Sequence, residues 1–289
     1  MRLRFLVIDG YTRAARDQLQ SGGASLAADL YRAMLERCSP AGSACDILFP
    51  SDPGADLPTG NDLQAYDGIA WTGCSLGCND GSHEVESQIA LQQRAFQAGL
   101  PGFGSCWAAQ IAVAAAGGKV QPNPHGREMG IARKIALTPE GRAHPLHEGR
   151  PVVFDAFTSH DDEITHLPPG AVALSGNAFT RVQSVCVRSQ GGAFWGLQYH
   201  PEYDLHEMAR LIFCRIEKLV RLGIFRSEGQ ANAYIEDLES LHADPTRSDL
   251  AWKLGLDSDV MDAQERETEV RNWILRLVLP SRAARTIEG

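Results

Sequence analysis

Leu100-Pro101-Gly102-Phe103-Gly104-Ser105-Cys106-Trp107-Ala108-Ala109-Gln110 is the stretch on which the reading of the fold turns. A short strand-like piece, Leu100 to Phe103, runs out in the small residues Gly104 and Ser105. An alanine-rich apolar run, Ala108 to Ala116, starts at once and is closed by Gly117-Gly118, a helix C-terminal signal. Strand and helix therefore meet with almost no loop, and Cys106 stands at the junction. In an open α/β sheet that junction lies at the carboxyl edge, where ligands bind. It also faces a helix N-terminus, whose dipole and free N–H groups favour a thiolate.

The flanking sequence has the rhythm of a parallel sheet covered by helices. Phe5 to Gly10, Asp46 to Pro50 and Gly68 to Trp71 read as strands. Helical spacing appears at Leu26, Leu30, Ala33 and Met34, and again from Glu84 to Ala98. Beyond Gly118 come strand-like runs at Ile131–Leu137, Val152–Phe154, Ala171–Leu174, Val182–Val187 and Ala193–Gln198. Leu205 to Leu222 then reads as one long amphipathic helix. The expected fold is α/β: an open, mostly parallel sheet flanked by helices, with a helical C-terminal extension. We place the main domain at 1–225 and the extension at 226–289. Tyr234, Leu238, Leu241, Val270, Trp273, Ile274 and Leu277 keep helical spacing there, and Trp273 is expected to dock on the main body.

Composition narrows the function classes. A formal charge of −9 argues against nucleic acid or an anionic membrane as the main partner. No apolar run is long enough for a membrane span. The start, Met1 to Ile8, does not read as a signal peptide. Seven cysteines, an odd number spread along the chain, fit a reducing cytoplasmic setting. Cys74 and Cys78 have no second pair at zinc-site spacing, so no metal is expected.

A cysteine nucleophile needs a proton acceptor. Tyr199-His200-Pro201-Glu202 follows the expected core strand Ala193–Gln198. His200 and Glu202 are two apart in an extended segment, so both side chains can point to one side. Glu202 can then hold one imidazole nitrogen while the other faces Cys106. On residue types alone, a packed cysteine and a hydrogen-bonded surface histidine are the commoner readings.

These residues resemble the class I, triad-type glutamine amidotransferases. The family motif Gly-x-Cys-x-Gly-x-Gln appears as Gly104, Cys106 and Gln110, with Ala108 where the second Gly is usual. The family's Gln-Phe-His-Pro-Glu setting appears as Gln198-Tyr199-His200-Pro201-Glu202. Asn123 to Gly130 looks like its Gly-Arg-Glu-Ile-Gly stretch. Ser159-His160-Asp161-Asp162 and Leu167-Pro168-Pro169-Gly170 look like its Ser-His-Gly-Asp and Leu-Pro-Pro-Gly segments. The likeness spans residues 3 to 222. It is similar both to the amidotransferase domain of GMP synthase and to stand-alone γ-glutamyl peptidases, and it implies a flavodoxin-like amidotransferase fold.

The resemblance implies hydrolysis of the side-chain amide of glutamine, or of a related γ-glutamyl amide, through a thioester. Cys106 would be the nucleophile, His200 the base and then the acid, and Glu202 the residue that orients His200. The oxyanion hole would use the backbone N–H of Trp107 together with the Gly73–Cys74 turn. Gln110 would hold the glutamyl substrate, with the backbone of Phe157, Thr158 and Ser159 at its amino-acid end. His160 is left out of the triad, and Arg127 and Glu128 are expected to form a structural ion pair or anchor a loop. No cofactor is implied.

Three departures stand out. Ala108 adds a methyl group beside the nucleophile turn. Asp161 adds charge at the cleft mouth where the family has Gly. Cys74 puts a second thiol in the oxyanion loop, to be read either as inert or as the partner of Cys106 in a reversible disulfide. The chain carries no phosphate-binding Gly-x-x-x-x-Gly-Lys loop and no pyrophosphatase loop, and 226–289 is too short for a usual catalytic domain. Three readings follow: a free-standing γ-glutamyl amide hydrolase, a glutaminase subunit serving a separate synthase, and a non-catalytic binding or regulatory module. The partners left open are a γ-glutamyl small molecule, a synthase subunit and a second copy of the chain.

Overall fold

A computed structural model describes residues 2–288. Eleven strands form β1 (Arg4–Ile8), β2 (Ala44–Leu48), β3 (Gly68–Trp71), β4 (Gly102–Ser105), β5 (Lys119–Pro122), β6 (Glu128–Leu137), β7 (Val153–His160), β8 (Asp162–His166), β9 (Ala171–Gly176), β10 (Ser184–Ser189) and β11 (Gly192–Leu197). Nine of them make one sheet in the order β2-β1-β3-β4-β11-β10-β9-β6-β7, and β5 pairs with β8 in a separate ribbon. The pairings from β2 through β11 are parallel. From β11 outward the pairings turn antiparallel.

The sheet is covered on both faces, as a parallel sheet must be. Alternation along β1 shows it directly. Phe5 and Val7 join a core with Tyr31, Met34, Trp195, Tyr199, Val270 and Trp273. Leu6 and Ile8 point the other way, into a core with Trp71, Leu91, Trp107 and Ile111. Helices Ala27–Cys38 and Thr268–Trp273 cover the first face, and helices His83–Gln97 and Trp107–Ala115 the second. A third apolar cluster, with Tyr11, Phe157, Tyr203, Leu205, Met208 and Leu238, closes the carboxyl end of the sheet.

The expected strands and the helices over 84–98 and 108–116 are present with modest changes of boundary. Helix Arg13–Ser21, capped by the Thr12 side chain, and the β5–β8 ribbon were not anticipated. The expected long helix from Leu205 to Leu222 is two helices, Leu205–Phe213 and Ile216–Arg221. Arg215, at φ −126° and ψ 12°, steps out of helical space between them. The apolar spacing through Leu205, Met208, Ile212, Ile216 and Leu219 continues across the break, so periodicity gave no sign of it. Among the described residues no helix is long and apolar enough to cross a membrane.

Candidate active site

The carboxyl ends of β1, β3, β4 and β11 meet at one cleft of about 320 Å³. Tyr11, Cys74, Cys106, Gln110, Ser159 and His200 are among its walls. Cys106 caps helix Trp107–Ala115 with φ 53° and ψ −104°. A non-glycine residue at positive φ is strained, and such strain collects where a side chain must be presented. The elbow is held by a 2.6 Å hydrogen bond from the Cys106 N–H to the Leu197 carbonyl on β11. Cβ atoms built on Gly104 would come within 2.4 Å of the Ala108 Cβ. Ala108 is buried and does not line the cleft, so the departure at this position fills core against Gly104.

His200 follows β11 at the same edge. Its Nδ1 lies 2.7 Å from Glu202 Oε1, with both side chains almost fully buried. The ring stacks on Tyr203, with centroids 4.0 Å apart and planes within 6°. Burial works against a protonated ring. The Glu202 charge, and hydrogen bonding with Cys106 and Glu202, outweigh it and raise the His200 pKa to about 9. Nε2 is buried without a well-formed hydrogen bond. Catalytic contacts are often loose before substrate binds, and Cys106 is close enough to act on the ring.

Glu202 is itself held. Ser105 Oγ donates to Glu202 Oε1 at 2.8 Å, and Tyr31 Oη donates to Ser105 Oγ at 2.6 Å. A buried chain thus runs from Tyr31 through Ser105 and Glu202 to His200.

The β3 end brings Thr72 and Gly73 to the same point. A Cβ on Gly73 would stand 2.9 Å from His200 Cε1 and 3.9 Å from Cys106 Cβ. Only a glycine lets this turn approach so closely. The Trp107 N–H opens its helix, a position without an intrahelical acceptor. The Cys74 thiol donates to the Gly10 carbonyl at 3.1 Å and accepts from the Leu76 N–H. Burial drives its pKa far up, so it stays a thiol. That geometry supports the inert reading of Cys74.

Gln110 lies one turn into the helix and lines the cleft. Its Nε2 donates to the Asp162 carbonyl at 3.1 Å and to Gln198 Oε1 at 3.2 Å. Ser159 lines the cleft too, and its carbonyl is 3.7 Å from Cys106 Sγ. The side chains of Phe157 and Thr158 do not reach the cleft: Phe157 is packed in the apolar cluster behind it, and both are fully buried, which leaves their backbone for any contact with substrate. The Phe157 carbonyl instead accepts the His200 N–H at 2.8 Å, fixing the backbone under the imidazole.

Arg127 and Glu128 do not pair with each other. Arg127 bonds Ser159 Oγ and Asp161, and Lys218 reaches the same Asp161 oxygen at 2.9 Å. The extra carboxylate at the cleft mouth is therefore neutralised from two sides. Glu128 accepts from Asn177 and Gln183 and bonds His160 Nε2, while His160 Nδ1 meets the Asp162 carbonyl. Both His160 nitrogens are occupied, which keeps that ring out of proton transfer with Cys106.

Tyr31, Ser105, Tyr203, Arg215 and Lys218 are site residues that pattern reading missed. None carries a local signal, because each reaches the site by packing. Tyr199, beside His200, also donates at 2.9 Å to Glu269, which Arg150 pairs at 3.0 Å. The C-terminal helices are in this way hydrogen-bonded to the strand end that bears the imidazole.

Comparison with known proteins completes the description. The family model for glutamine amidotransferase class-I matches residues 62–218. A protein named γ-glutamyl-L-1-hydroxyisopropylamide hydrolase, from a Pseudomonas species, is 32% identical over 287 residues, covering 97% of this chain and 95% of that protein. A glutamine-hydrolyzing GMP synthase of Nitrosomonas eutropha is 32% identical over 116 residues, only 39% of this chain and 22% of that protein. A glutamine amidotransferase structure from Thermotoga maritima superposes with a TM-score of 0.64 at 17% identity, covering 96% of this chain and 99% of that one.

Proposed function

The chain belongs to the class-I glutamine amidotransferases, and from that premise we propose that it hydrolyses the side-chain amide of glutamine or of a substituted γ-glutamyl amine through a thioester on Cys106. The observation that carries the proposal is the cleft itself. A strained Cys106 and a His200 held by Glu202 at 2.7 Å line one cavity.

In this reading the Cys106 thiol first passes its proton to His200, whose raised proton affinity draws it, and Cys106 Sγ then attacks the γ-carbonyl carbon. Negative charge develops on the carbonyl oxygen, and the N–H groups of Trp107 and of the Gly73–Cys74 turn receive it. Fixed donors of this kind are worth about 10²–10³ in rate for one hydrogen bond. His200 returns the proton to the departing nitrogen, so ammonia or an amine leaves. A ring that keeps its proton up to about pH 9 suits that step. Water, deprotonated by His200, then cleaves the thioester, releasing glutamate and restoring the thiol. Glu202 keeps the imidazole in one tautomer. Gln110 and Ser159 line the cleft where the glutamyl portion would sit.

A free-standing hydrolase is favoured over an ammonia-supplying subunit. The likeness to the Pseudomonas hydrolase runs through 97% of the chain and so takes in most of 226–289, whereas the N. eutropha GMP synthase match covers 39%. The test is release of glutamate, and of ammonia or amine, from L-glutamine and a panel of γ-glutamyl amides, with Cys106→Ala beside the wild type. Turnover that depends on Cys106 is expected. Wild-type activity in pure Cys106→Ala would remove the nucleophile, and turnover only when a synthase is added would favour the subunit reading.

A further inference from the structure

We propose that Arg215 is the carboxylate-binding residue of this cleft, an assignment that rests on the amidotransferase reading above. Three cationic side chains line the cleft: Arg127, Arg215 and Lys218. Arg127 and Lys218 are both committed to Asp161. Arg215 differs from them. It makes no ion pair among the described residues, and its Nη1 is buried with no hydrogen-bond partner. Buried polar groups are otherwise almost always satisfied, so an orphaned nitrogen on a guanidinium that lines a cavity calls for an acceptor from outside the protein.

The surroundings sharpen the assignment. Arg215 and Arg127 act on each other, and with burial this depresses the proton affinity of Arg127. Asp80, Asp161 and Asp162 also line the cleft; Arg127 and Lys218 bond Asp161, and no ion pair joins Arg215 to any of the three. Arg215 also sits where the helix from Leu205 is broken, and the break turns it toward the cleft. It lies on the wall shared with an outer cavity of about 540 Å³, together with Tyr11, Ser75 and Lys218. Glu217 and Glu228 line that outer cavity, and neither pairs with Arg215. A guanidinium is the group best shaped to take both oxygens of a carboxylate.

Two carboxylates on a γ-glutamyl substrate fit this chemistry. One is the α-carboxylate of the glutamyl portion, in the inner cleft. The other is a carboxylate carried by the leaving amine, in the outer cavity. Two matched pairs separate them. L-Glutamine and 4-aminobutanamide differ only in the α-carboxylate. γ-Glutamylglycine and γ-glutamylmethylamide differ only in the carboxylate of the leaving group.

Steady-state kinetics of wild type, Arg215→Met and Arg215→Lys on these four amides test the proposal. Loss of a charge-assisted, two-pronged contact should raise KM about 10- to 100-fold for the carboxylate-bearing member of one pair, with kcat far less changed. Retained kcat also reports that the variant folds, and Arg215→Lys should recover part of the loss. Collapse of discrimination in the first pair assigns the α-carboxylate, and in the second the leaving group. Unchanged discrimination in both pairs overturns the proposal. If the wild type turns over none of the four, the free-standing hydrolase reading fails, and Arg215 is then decided by alkylation of Cys106 with iodoacetamide. Protection by L-glutamine in wild type but not in Arg215→Met supports the assignment; equal protection, or none, overturns it.

Discussion

Ser105 Oγ donates a 2.8 Å hydrogen bond to Glu202 Oε1, the same oxygen that meets His200 Nδ1 at 2.7 Å. The residue just before the candidate nucleophile therefore braces the residue that orients the candidate base. Tyr31 in turn donates to Ser105 at 2.6 Å from a helix on one face of the sheet. Replacing Ser105 with Ala removes one buried hydrogen bond, typically about 0.5–1.5 kcal/mol. We expect kcat to fall about 2- to 10-fold with KM nearly constant. Tyr31→Phe should act in the same direction and less strongly. Steady-state kinetics of both variants check this, and an unchanged kcat in Ser105→Ala would detach the chain from catalysis.

Glu202 is the main force raising His200 to about 9 against the cost of burial. Glu202→Gln should lower the His200 pKa, measured by NMR titration, and cut kcat by about 10²–10⁴-fold while leaving a residue of activity. The same shift makes stability depend on pH. His200 binds its proton more tightly folded than unfolded, so its stabilising contribution is complete below pH 6.5 and is lost as pH rises through about 9. Denaturant midpoints should fall across that window more steeply in wild type than in His200→Gln.

The turn after β3 offers a steric test. A methyl group at Gly73 would meet His200 Cε1 at 2.9 Å. Gly73→Ala should displace the imidazole or the turn by a fraction of an ångström and lower kcat about 10- to 100-fold. The thermal midpoint should change little, because the clash is confined to the cleft. Equal losses of stability and rate would point instead to general damage.

Trp273 is fully buried, with its ring centroid 5.5 Å from those of Phe5 and Phe103. Trp273→Ala opens a cavity under β1 and β4 and should cost about 3–5 kcal/mol in equilibrium unfolding. A loss below 1 kcal/mol would mean that the C-terminal helices cover the core without supporting it.

Much of this site was legible in the sequence because its chemistry is local. A strand, two small residues, a cysteine and an alanine-rich run define the elbow at Cys106. His200, Pro201 and Glu202 sit together on one strand end. What was hidden depends on contacts between distant segments. Ser105 and Tyr31 are 74 positions apart, and nothing in either neighbourhood announces their hydrogen bond. Phe157 was expected near the substrate through its backbone; its ring packs in the apolar cluster, and its carbonyl accepts the His200 N–H, a pairing that local sequence does not show. The break at Arg215 escaped notice because apolar spacing runs through it. The β5–β8 ribbon lacked the long alternating pattern that marks larger strands, since only Val120 and Ile164 are its well-buried apolar residues.

The docking of Trp273 between Phe5 and Phe103 has a consequence for how the chain is made. Synthesis is vectorial, and β1 and β4 emerge from the ribosome long before residue 273 does. Until that indole arrives, Phe5 and Phe103 are covered only in part, by the helix Ala27–Cys38, and Tyr199 lacks its Glu269 partner. The nascent amidotransferase unit thus carries a partly uncovered apolar face until residue 273 emerges, a state that invites chaperone binding and aggregation. Completion of this core, and with it the Tyr199–Glu269 hydrogen bond beside His200, waits for the helices around residue 273.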